Sequence, residues 1–479
     1  MGTPAISRAR LLGAAVAVTV LAAALRLTSG VGFANYDSLY ALLWGQQLSR
    51  GQAPQYAIAV APTPHPLVEA LGLILSPLGP HATEQVTVAL GYLSLAACGW
   101  VVFRLGEHWF GGAAGALGAL LLLTRVPILS YGVRAYVDLP YLLFVLSALL
   151  VEARRPRAGA PVLVLLGLAG LLRPEAWAFS GLYWLYLARR GCGDGRRREL
   201  ARLAALGAVA PALWVASDGL ITGDPLWSLL NTRHTAHTLA RITGIAHVPV
   251  YIPRRIGEIL RPAVLIGAAL GGVLSLSWLR ARALPGALAG AVALAVFALF
   301  ATLGLPINTR YAFLASALLC VFCGAGAFGW LRLPAGDRRR RAWALASTLV
   351  GLALLAHAPG QYRSADREMD NLAAQQVIQD DLVALVSNHA LSPRCGPVGV
   401  PNHRPIPLLA LRLHTSPERV ISAQVTQLTR GTYVAPASAA VTARYTLDPH
   451  DPRRLTATVP PGFRLAARNR SWDVYQRCA

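Results

Sequence analysis

Long apolar runs alternate with short polar segments along most of the chain. The first run extends from Leu11 to about Ser29, and a helix needs about 20 apolar residues to cross a hydrocarbon layer of about 30 Å. Further runs lie at about 84–103, 111–129, 138–153, 159–173, 176–189, 201–217, 262–279, 284–304, 311–333 and 342–358. The pattern therefore predicts an α-helical polytopic membrane protein with about eleven transmembrane helices.

The segments between the runs differ in charge. Arginines occupy every second loop, on the side predicted for Arg8 and Arg10: they are Arg104, 154–157, 189–198, 280–282 and 338–341. Basic residues are enriched in cytoplasmic loops, so the N-terminus is predicted to be cytoplasmic, in a multi-pass protein of the plasma membrane. The large first loop (31–83) and the loop 218–261 then lie on the outer face. A cleavable signal peptide is the competing interpretation of the first run, but its apolar core is shorter and ends at a small-residue cleavage site.

The polar remainder after about residue 358 predicts a second domain. We place a transmembrane domain at 1–358 and a small extracytoplasmic α+β domain at 359–479, with a helix over 366–386 and strands near 439–442 and 455–459. Cys395 and Cys478 fall in this domain, where an oxidising compartment would allow a disulfide. Cys320 and Cys323 lie inside an apolar run and are interpreted as packing residues rather than metal or redox ligands.

Composition agrees with a membrane protein. Of 479 residues, 55% are hydrophobic and 14% charged, against about 25% charged in a typical soluble protein. The net charge of +22 would suggest a nucleic-acid partner in a soluble protein, but the arginine-rich cytoplasmic loops account for it. No nucleic-acid partner is therefore predicted.

Ionisable residues near hydrocarbon are costly, and they commonly mark a site or a pathway. Asp37 is the first acidic residue of the chain, and the next one is Glu69. Every predicted outer loop contributes polar groups, among them Tyr36, Asp37, Arg134, Asp138, Arg173, Glu175 and Arg310. We expect these groups to converge on one cavity.

Three short motifs carry a resemblance to a known family. Residues 35–40 (NYDSLY) with 48–51 (LSRG) resemble the first outer loop of the GT-C superfamily of membrane glycosyltransferases. Residues 134–140 (RAYVDLP) are similar to its second outer loop, and 173–175 (RPE) to a motif of its fifth span. That superfamily includes protein O-mannosyltransferases, aminoarabinose transferases and actinobacterial polyprenyl-phosphate mannosyltransferases. The order and sidedness of the motifs extend the resemblance over nearly the whole chain.

The resemblance implies a reaction and a base. A sugar, mannose or similar, would pass with inversion from a polyprenyl-phosphate donor to a glycan, lipid or protein acceptor at the outer face. Asp37 matches the family position of the catalytic base, which takes the acceptor proton. The alternative is that Asp37 only caps the helix that follows it.

The other candidates would serve the donor and the acceptor. Arg134, Arg173 and Arg310 would bind the donor phosphate, because the planar guanidinium binds two oxygens and stays charged. Alternatively, each arginine only reaches the lipid headgroups. Tyr36, Asp138 and Glu175 would orient acceptor or donor, and the competing interpretation for the acids is a structural ion pair, Arg173 with Glu175 or Arg134 with Asp138.

No metal site and no cofactor are predicted, because the chain has neither an Asp-x-Asp motif nor a His-rich one. Two rival functions stay open. One is a transporter or flippase of a lipid-linked saccharide, although repeated halves typical of such proteins are not evident. The other is an inactive protein that retains the fold. The leading hypothesis predicts that Asp37 lies within reach of Asp138, Arg173 and Arg310.

Overall fold

The computed structural model describes residues 8–189, 194–446 and 458–478, and most of these are helical. The α-helices are α1 (Arg8–Ser29), α2 (Tyr36–Ser49), α3 (Pro66–Leu75), α4 (Gly79–Phe110), α5 (Gly112–Leu123), α6 (Val126–Val133), α7 (Asp138–Arg154), α8 (Ala160–Gly170), α9 (Glu175–Ala188), α10 (Asp194–Thr222), α11 (Trp227–Thr238), α12 (Val248–Trp278), α13 (Arg280–Thr302), α14 (Phe313–Phe328), α15 (Arg338–Ser387), α16 (Ile406–Arg412) and α17 (Ala439–Val441). The strands are β1 (Val398–Val400), β2 (Val420–Ser422), β3 (Gly431–Pro436), β4 (Arg464–Arg468) and β5 (Trp472–Arg477).

The chain is a multi-pass membrane protein, as the hydrophobic pattern predicts. Within the described ranges, 7 helical stretches are long and apolar enough to cross a bilayer, and the pair α5 and α6, bent by 66°, would make an eighth. The stretches are Leu11–Ser29, Pro66–Phe110, Gly195–Thr222, Ile245–Trp278, Arg280–Thr302, Thr309–Arg332 and Arg338–Ser387. Each predicted span falls on a helix or on the bent pair, but α7, α8 and α9 have only 17, 11 and 14 residues. The count of eleven is therefore not confirmed.

The chain forms two compact units. Unit 1 takes its described residues from Met1–Gly30, Ala89–Ala212 and Thr243–Glu368, and unit 2 from Val31–Val88, Leu213–Ile242 and Met369–Ala479. The predicted first loop, 31–83, contains α2 and α3. Helix α15 continues through the predicted boundary at 358, so that boundary stays a prediction.

Small residues allow close helix packing in unit 1. A Cβ at Gly271 of α12 would overlap the backbone of α14 at Phe322, and one at Gly324 of α14 would overlap the backbone of α5 at Ala114. Such contacts are common between membrane helices, where van der Waals packing drives association. Cys320 and Cys323 of α14 are buried, in agreement with a packing role.

Helix α12 is broken near its middle. Arg261 has φ 63° and ψ 161°, directly before Pro262, which cannot donate a helical hydrogen bond. Arg125, which lies between α5 and α6, donates from Nη1 to the carbonyl of Leu260 at 3.1 Å. The buried guanidinium therefore satisfies a carbonyl at the break.

Unit 2 has its own core, which joins the first loop to the C-terminal sheet. The sheet has the order β2-β1-β3-β5-β4, with β1 parallel to β2 and β3, and with β5 antiparallel to β3 and β4. Helix α2 is buried continuously from Ser38 to Gln47 and packs with α16 and the sheet. The predicted α+β class of the C-terminal part is confirmed.

Two details of the C-terminal prediction change. The predicted strand at 439–442 is wrong, because Ser438 accepts a hydrogen bond from the amide of Val441 and starts a short helix. The predicted strand at 455–459 lies largely outside the described residues. Helix 366–386 is present as part of α15, and Cys395 is joined to Cys478 by a disulfide.

Candidate active site

Three of the predicted site residues stand next to helix starts in unit 1. Asp138 is the first residue of α7, and Glu175 is the first residue of α9, directly after Arg173 and Pro174. Carboxylates in a first turn are stabilised by the partial positive charge of the exposed backbone amides there. The two helix starts therefore suit acidic residues before any partner is considered.

Arg173 binds both of these acids. Its Nη2 donates to Glu175 Oε1 at 2.7 Å, its Nε lies 3.2 and 3.3 Å from the two oxygens of Glu175, and its Nη1 donates to Asp138 Oδ1. The residues Asp138, Arg173 and Glu175 are 1%, 5% and 6% exposed. The predicted Arg173–Glu175 ion pair is therefore present, and Asp138 pairs with Arg173.

Aromatic rings enclose the same guanidinium. The Arg173 Cζ lies 4.3 Å from the ring centre of Tyr311 and 5.6 Å from that of Tyr141. Such cation–π contacts gain strength where water is excluded. Arg173 is therefore held by two carboxylates and two rings.

Arg310 borders the same cluster with more of its side chain exposed. It belongs to a 3-10 turn, Thr309–Ala312, that leads into α14, and its Nη1 lies 3.8 Å from Asp138 Oδ2. Its side chain is 23% exposed, against 7% for Arg173. Because the donors of Arg173 already face carboxylates, Arg310 is the better placed of the two arginines for an incoming anion.

A small, partly open cavity of about 20 Å³ lies at this cluster. Its lining residues are Tyr141, Arg173, Glu175, Phe179, Ala293, Val296, Phe297, Arg310, Tyr311 and Leu314. The cavity therefore combines a charged end, which carries both arginines, with apolar and aromatic walls. This combination suits a ligand with an anionic group and an apolar chain.

Arg134 has a different setting in unit 1 and does not line this cavity. Its Nε donates to the carbonyl of Ser130 at 3.0 Å, and its Nη2 to the Ser130 hydroxyl at 2.7 Å. That hydroxyl donates in turn to Glu368 at 2.7 Å, and Arg134 Cζ lies 5.4 and 5.0 Å from the rings of Tyr131 and Tyr136. These contacts stabilise the end of α6.

Asp37 and Tyr36 open α2 in unit 2. The N-cap of this helix is Asn35, whose side chain accepts from the amides of Asp37 and Ser38 at 2.8 and 3.3 Å. Asp37 is half-buried and is the second residue of the helix, within its first turn. Helix capping is therefore performed by Asn35, and Asp37 belongs to the helix itself.

Tyr36 is enclosed by residues of two of the three sequence segments of unit 2. Its hydroxyl donates to the carbonyl of Val60 at 3.1 Å, and its ring lies 5.3 Å from His403 and 5.0 Å from Tyr40. Burial, with a smaller effect from Tyr40, holds the pKa of Tyr36 well above its usual range. Tyr36 therefore keeps its proton and acts as a hydrogen-bond donor.

Comparison with solved structures identifies the fold. A crystal structure of ArnT from Cupriavidus metallidurans bound to undecaprenyl phosphate is similar over 98% of each chain, with a TM-score of 0.59 and 14% identity. The archaeal oligosaccharyltransferase AglB from Archaeoglobus fulgidus, in complex with an inhibitory peptide and a dolichol-phosphate, gives a TM-score of 0.48 at 13% identity, over 86% of this chain and 64% of that one. ArnT is an aminoarabinose transferase of the GT-C superfamily. The chain has the GT-C fold.

The resemblance seen in the sequence is thus confirmed at the level of the fold. No protein-family model and no curated protein sequence matches the chain. Within this GT-C fold, unit 1 brings together Asp138, Arg173, Glu175 and Arg310, whereas Asp37 and Tyr36 belong to unit 2. The proximity of Asp37 to the arginines stays a prediction.

Several residues around these sites were not expected from the sequence. In unit 1 they are Tyr141, which flanks Arg173, and Glu258, which accepts a hydrogen bond from Thr309, the residue before Arg310. In unit 2 His403 packs on Tyr36. One sequence signal was available for it, since His403 lies in a polar triplet between Pro401 and Pro405, a composition typical of an ordered turn.

Proposed function

We propose that this protein is a glycosyltransferase that uses a polyprenyl-phosphate sugar. The observation that carries the proposal is the cavity in unit 1, where Arg310 and Arg173 meet apolar and aromatic walls. A lipid phosphate needs both surfaces, a cation for its headgroup and an apolar lining for its first isoprene units. The GT-C fold agrees, since the similar ArnT structure holds undecaprenyl phosphate.

In the proposed reaction, Arg310 makes the principal contact with the donor phosphate. Arg173, neutralised by Asp138 and Glu175, fixes the shape of the charged end and contributes less to the phosphate. Glu175 and Asp138 thereby orient the donor indirectly, through Arg173 and Arg310. Arg134, which is bonded to Ser130, is assigned to the end of α6.

Asp37 is proposed as the base. Its carboxylate takes the proton of the acceptor hydroxyl as that oxygen forms a bond to the anomeric carbon of the sugar. The bond from the anomeric carbon to the phosphate oxygen breaks, and the oxygen leaves with the electron pair as part of the lipid phosphate. Attack opposite to the leaving group inverts the anomeric centre. The arginines stabilise the charge that the phosphate gains.

We further propose that transfer occurs at the outer face of the plasma membrane, with a cytoplasmic N-terminus. The arginine-rich loops support this orientation. The Cys395–Cys478 disulfide also supports an extracytoplasmic C-terminal part, because disulfides persist in oxidising compartments. Mannose is the first sugar to test, with a glycan, lipid or protein as acceptor.

The test uses full-length protein in proteoliposomes with a panel of labelled polyprenyl-phosphate sugars, mannose first, and a membrane extract that supplies acceptors. We expect labelled acceptor and free polyprenyl phosphate in equal amounts from the native protein. Asp37→Asn should lose both products while keeping the native elution volume and unfolding temperature.

Movement of intact labelled donor between leaflets without bond cleavage would instead identify a flippase. Binding of donor without cleavage of any sugar in the panel would indicate an inactive protein.

A further inference from the structure

The segment that leads to Arg310 has no regular structure of its own. Helix α13 ends at Thr302, Gly304 has φ +81°, and residues 305–308 continue without helix or strand before the turn Thr309–Ala312. Yet Leu305 and Ile307 are buried, at 5% and 1% exposure. Buried backbone groups outside helices and sheets need other hydrogen-bond partners.

Arg255 of α12 supplies such a partner. Its Nε donates to the carbonyl of Ile307 at 3.1 Å. Its Nη1 donates to Glu258 Oε1 and Oε2 at 3.1 and 2.9 Å. The two side chains are three residues apart on one helix, a spacing at which they face each other.

Glu258 extends this contact to the residue beside Arg310. The hydroxyl of Thr309 donates to Glu258 Oε2 at 3.2 Å. The backbone at Ile307 and the side chain of Thr309 are thus both fixed to one ion pair on α12. Arg310 follows directly, so the direction of its side chain depends on this attachment.

Arg254 provides a natural comparison. Its Nε also lies near Glu258, 3.2 Å from Oε1, but its side chain is 63% exposed, against 22% for Arg255. Both arginines therefore pair with the same carboxylate. The bond to Ile307 is made by Arg255.

We infer that Arg255 and Glu258 are positioning residues for Arg310: through Ile307 and Thr309 they hold the turn that presents the Arg310 guanidinium to the cavity. This inference rests on the proposed function, because it takes Arg310 as the phosphate-binding arginine. Binding of a polyprenyl monophosphate then depends on an ion pair that does not itself need to touch the ligand.

The test measures the Kd of full-length protein for geranylgeranyl phosphate, used as the probe, and the KM and kcat for the donor that the transfer assay identifies. Arg255→Ala and Glu258→Ala should weaken probe binding about tenfold, because a loosened turn loses a charge-assisted contact. The kcat at saturating donor should also fall, because Arg310 stabilises the charge that the phosphate gains during transfer. The matched control Arg254→Ala should change Kd by less than about twofold.

A second pair of variants guards against misfolding of the arginine and glutamate variants. Thr309→Ser keeps the hydroxyl that donates to Glu258 and should bind the probe normally. Thr309→Val has the shape of threonine without the hydroxyl and should weaken binding. Unfolding temperatures of all variants are measured alongside.

A double variant separates positioning from direct contact. If Arg255 acts through Arg310, then Arg255→Ala with Arg310→Ala should bind no worse than Arg310→Ala alone. Additive losses would mean that Arg255 binds the phosphate itself, which overturns the inference. The inference would also be overturned if Arg254→Ala and Arg255→Ala bound the probe equally well while Arg310→Ala bound it weakly. That result would still support the proposed donor site. Native binding by Arg310→Ala would instead overturn the donor site of the proposed function.

Discussion

Arg173 donates to Asp138 while it also pairs with Glu175, and all three residues are almost completely buried. Two acids that begin different helices, α7 and α9, are thereby joined through one cation. The opposite charges offset the cost of removing each group from water, provided that all remain in place. The charged end of the cavity is therefore also a structural element of unit 1.

The first prediction follows from this dual role. Arg173→Ala leaves the buried carboxylates of Asp138 and Glu175 without this cation, so the free energy of unfolding should fall by about 3 kcal/mol or more. Arg310→Ala removes a partly exposed cation that lies farther from Asp138 than Arg173 does. The free energy of unfolding should therefore fall by about 1 kcal/mol or less. Unfolding in detergent, followed by circular dichroism, measures both values. Equal stability of the two variants would show that Arg173 is not the centre of the cluster.

The second prediction separates the cap of α2 from the proposed base. Asn35→Ala removes the side chain that accepts from two amides, and should cost about 1 kcal/mol of stability. Asp37→Asn keeps the cap and loses a favourable charge in the first turn, which is worth about 0.5 kcal/mol. Sugar transfer should show the reverse order. The Asp37→Asn variant should be inactive, and the Asn35→Ala variant should transfer sugar at a reduced rate. If the Asp37→Asn variant transferred sugar normally and lost more stability than the Asn35→Ala variant, Asp37 would have a structural role.

The sequence was sufficient to predict a membrane protein, because hydropathy measures the free energy of transfer to lipid. That free energy depends on the residues within each apolar run and not on contacts between runs. The span count was harder, since α8 has only 11 residues and its neighbours α7 and α9 begin with buried acids. At 439–442 the β-branched residues Val441 and Thr442 favour a strand, whereas the Ser438 side chain, which caps a helix turn, decides the outcome.

Unit 1 brings together four residues that the sequence selected, and the sequence also offered the Arg173–Glu175 pair, but it did not predict that Asp138 binds Arg173. Asp138, Arg173, Glu175 and Arg310 stood out because charge near hydrocarbon is costly. Which acid binds which arginine depends on the packing of α7, α9 and α14, and that is a tertiary property. The sequence offered Asp37 as the cap of α2, whereas the structure has Asn35 in that position, because the cap depends on the first helical residue, which sequence patterns locate poorly.

The third prediction concerns the disulfide of unit 2. Cys395 and Cys478 are 83 residues apart, so their bond restricts a long segment of the unfolded chain. In the chain-entropy account, Cys395→Ser with Cys478→Ser should lower the free energy of unfolding by about 4 kcal/mol. Limited proteolysis should then cut within the C-terminal sheet sooner. Cys98→Ala, which changes a buried cysteine of unit 1, is the control and should leave the proteolysis of the sheet unchanged.

The fourth prediction uses the proton of Tyr36. Burial raises the pKa of this phenol, so the folded state holds the proton above the pH at which a solvent-exposed tyrosine loses it. The stability that this neutral group contributes is complete below about pH 10, the usual tyrosine pKa, and declines as the pH rises beyond it. Tyr36→Phe cannot titrate, but it loses the hydrogen bond to Val60, which should cost about 1 kcal/mol at neutral pH.

The same variant bears on catalysis, because Tyr36 precedes the proposed base. If Tyr36 acts as a protonated donor that orients its surroundings, Tyr36→Phe should lower the transfer rate by a similar factor at every pH from about 6 to 9, where the phenol stays neutral. His403→Ala, which removes the ring packed on Tyr36, should have a smaller effect of the same pH-independent kind. The measurement is the pH profile of transfer by the native protein and both variants. An alkaline limb present in the native profile and missing from that of Tyr36→Phe would instead show that the phenolate takes part in the reaction, and Asp37 would then not be the sole base.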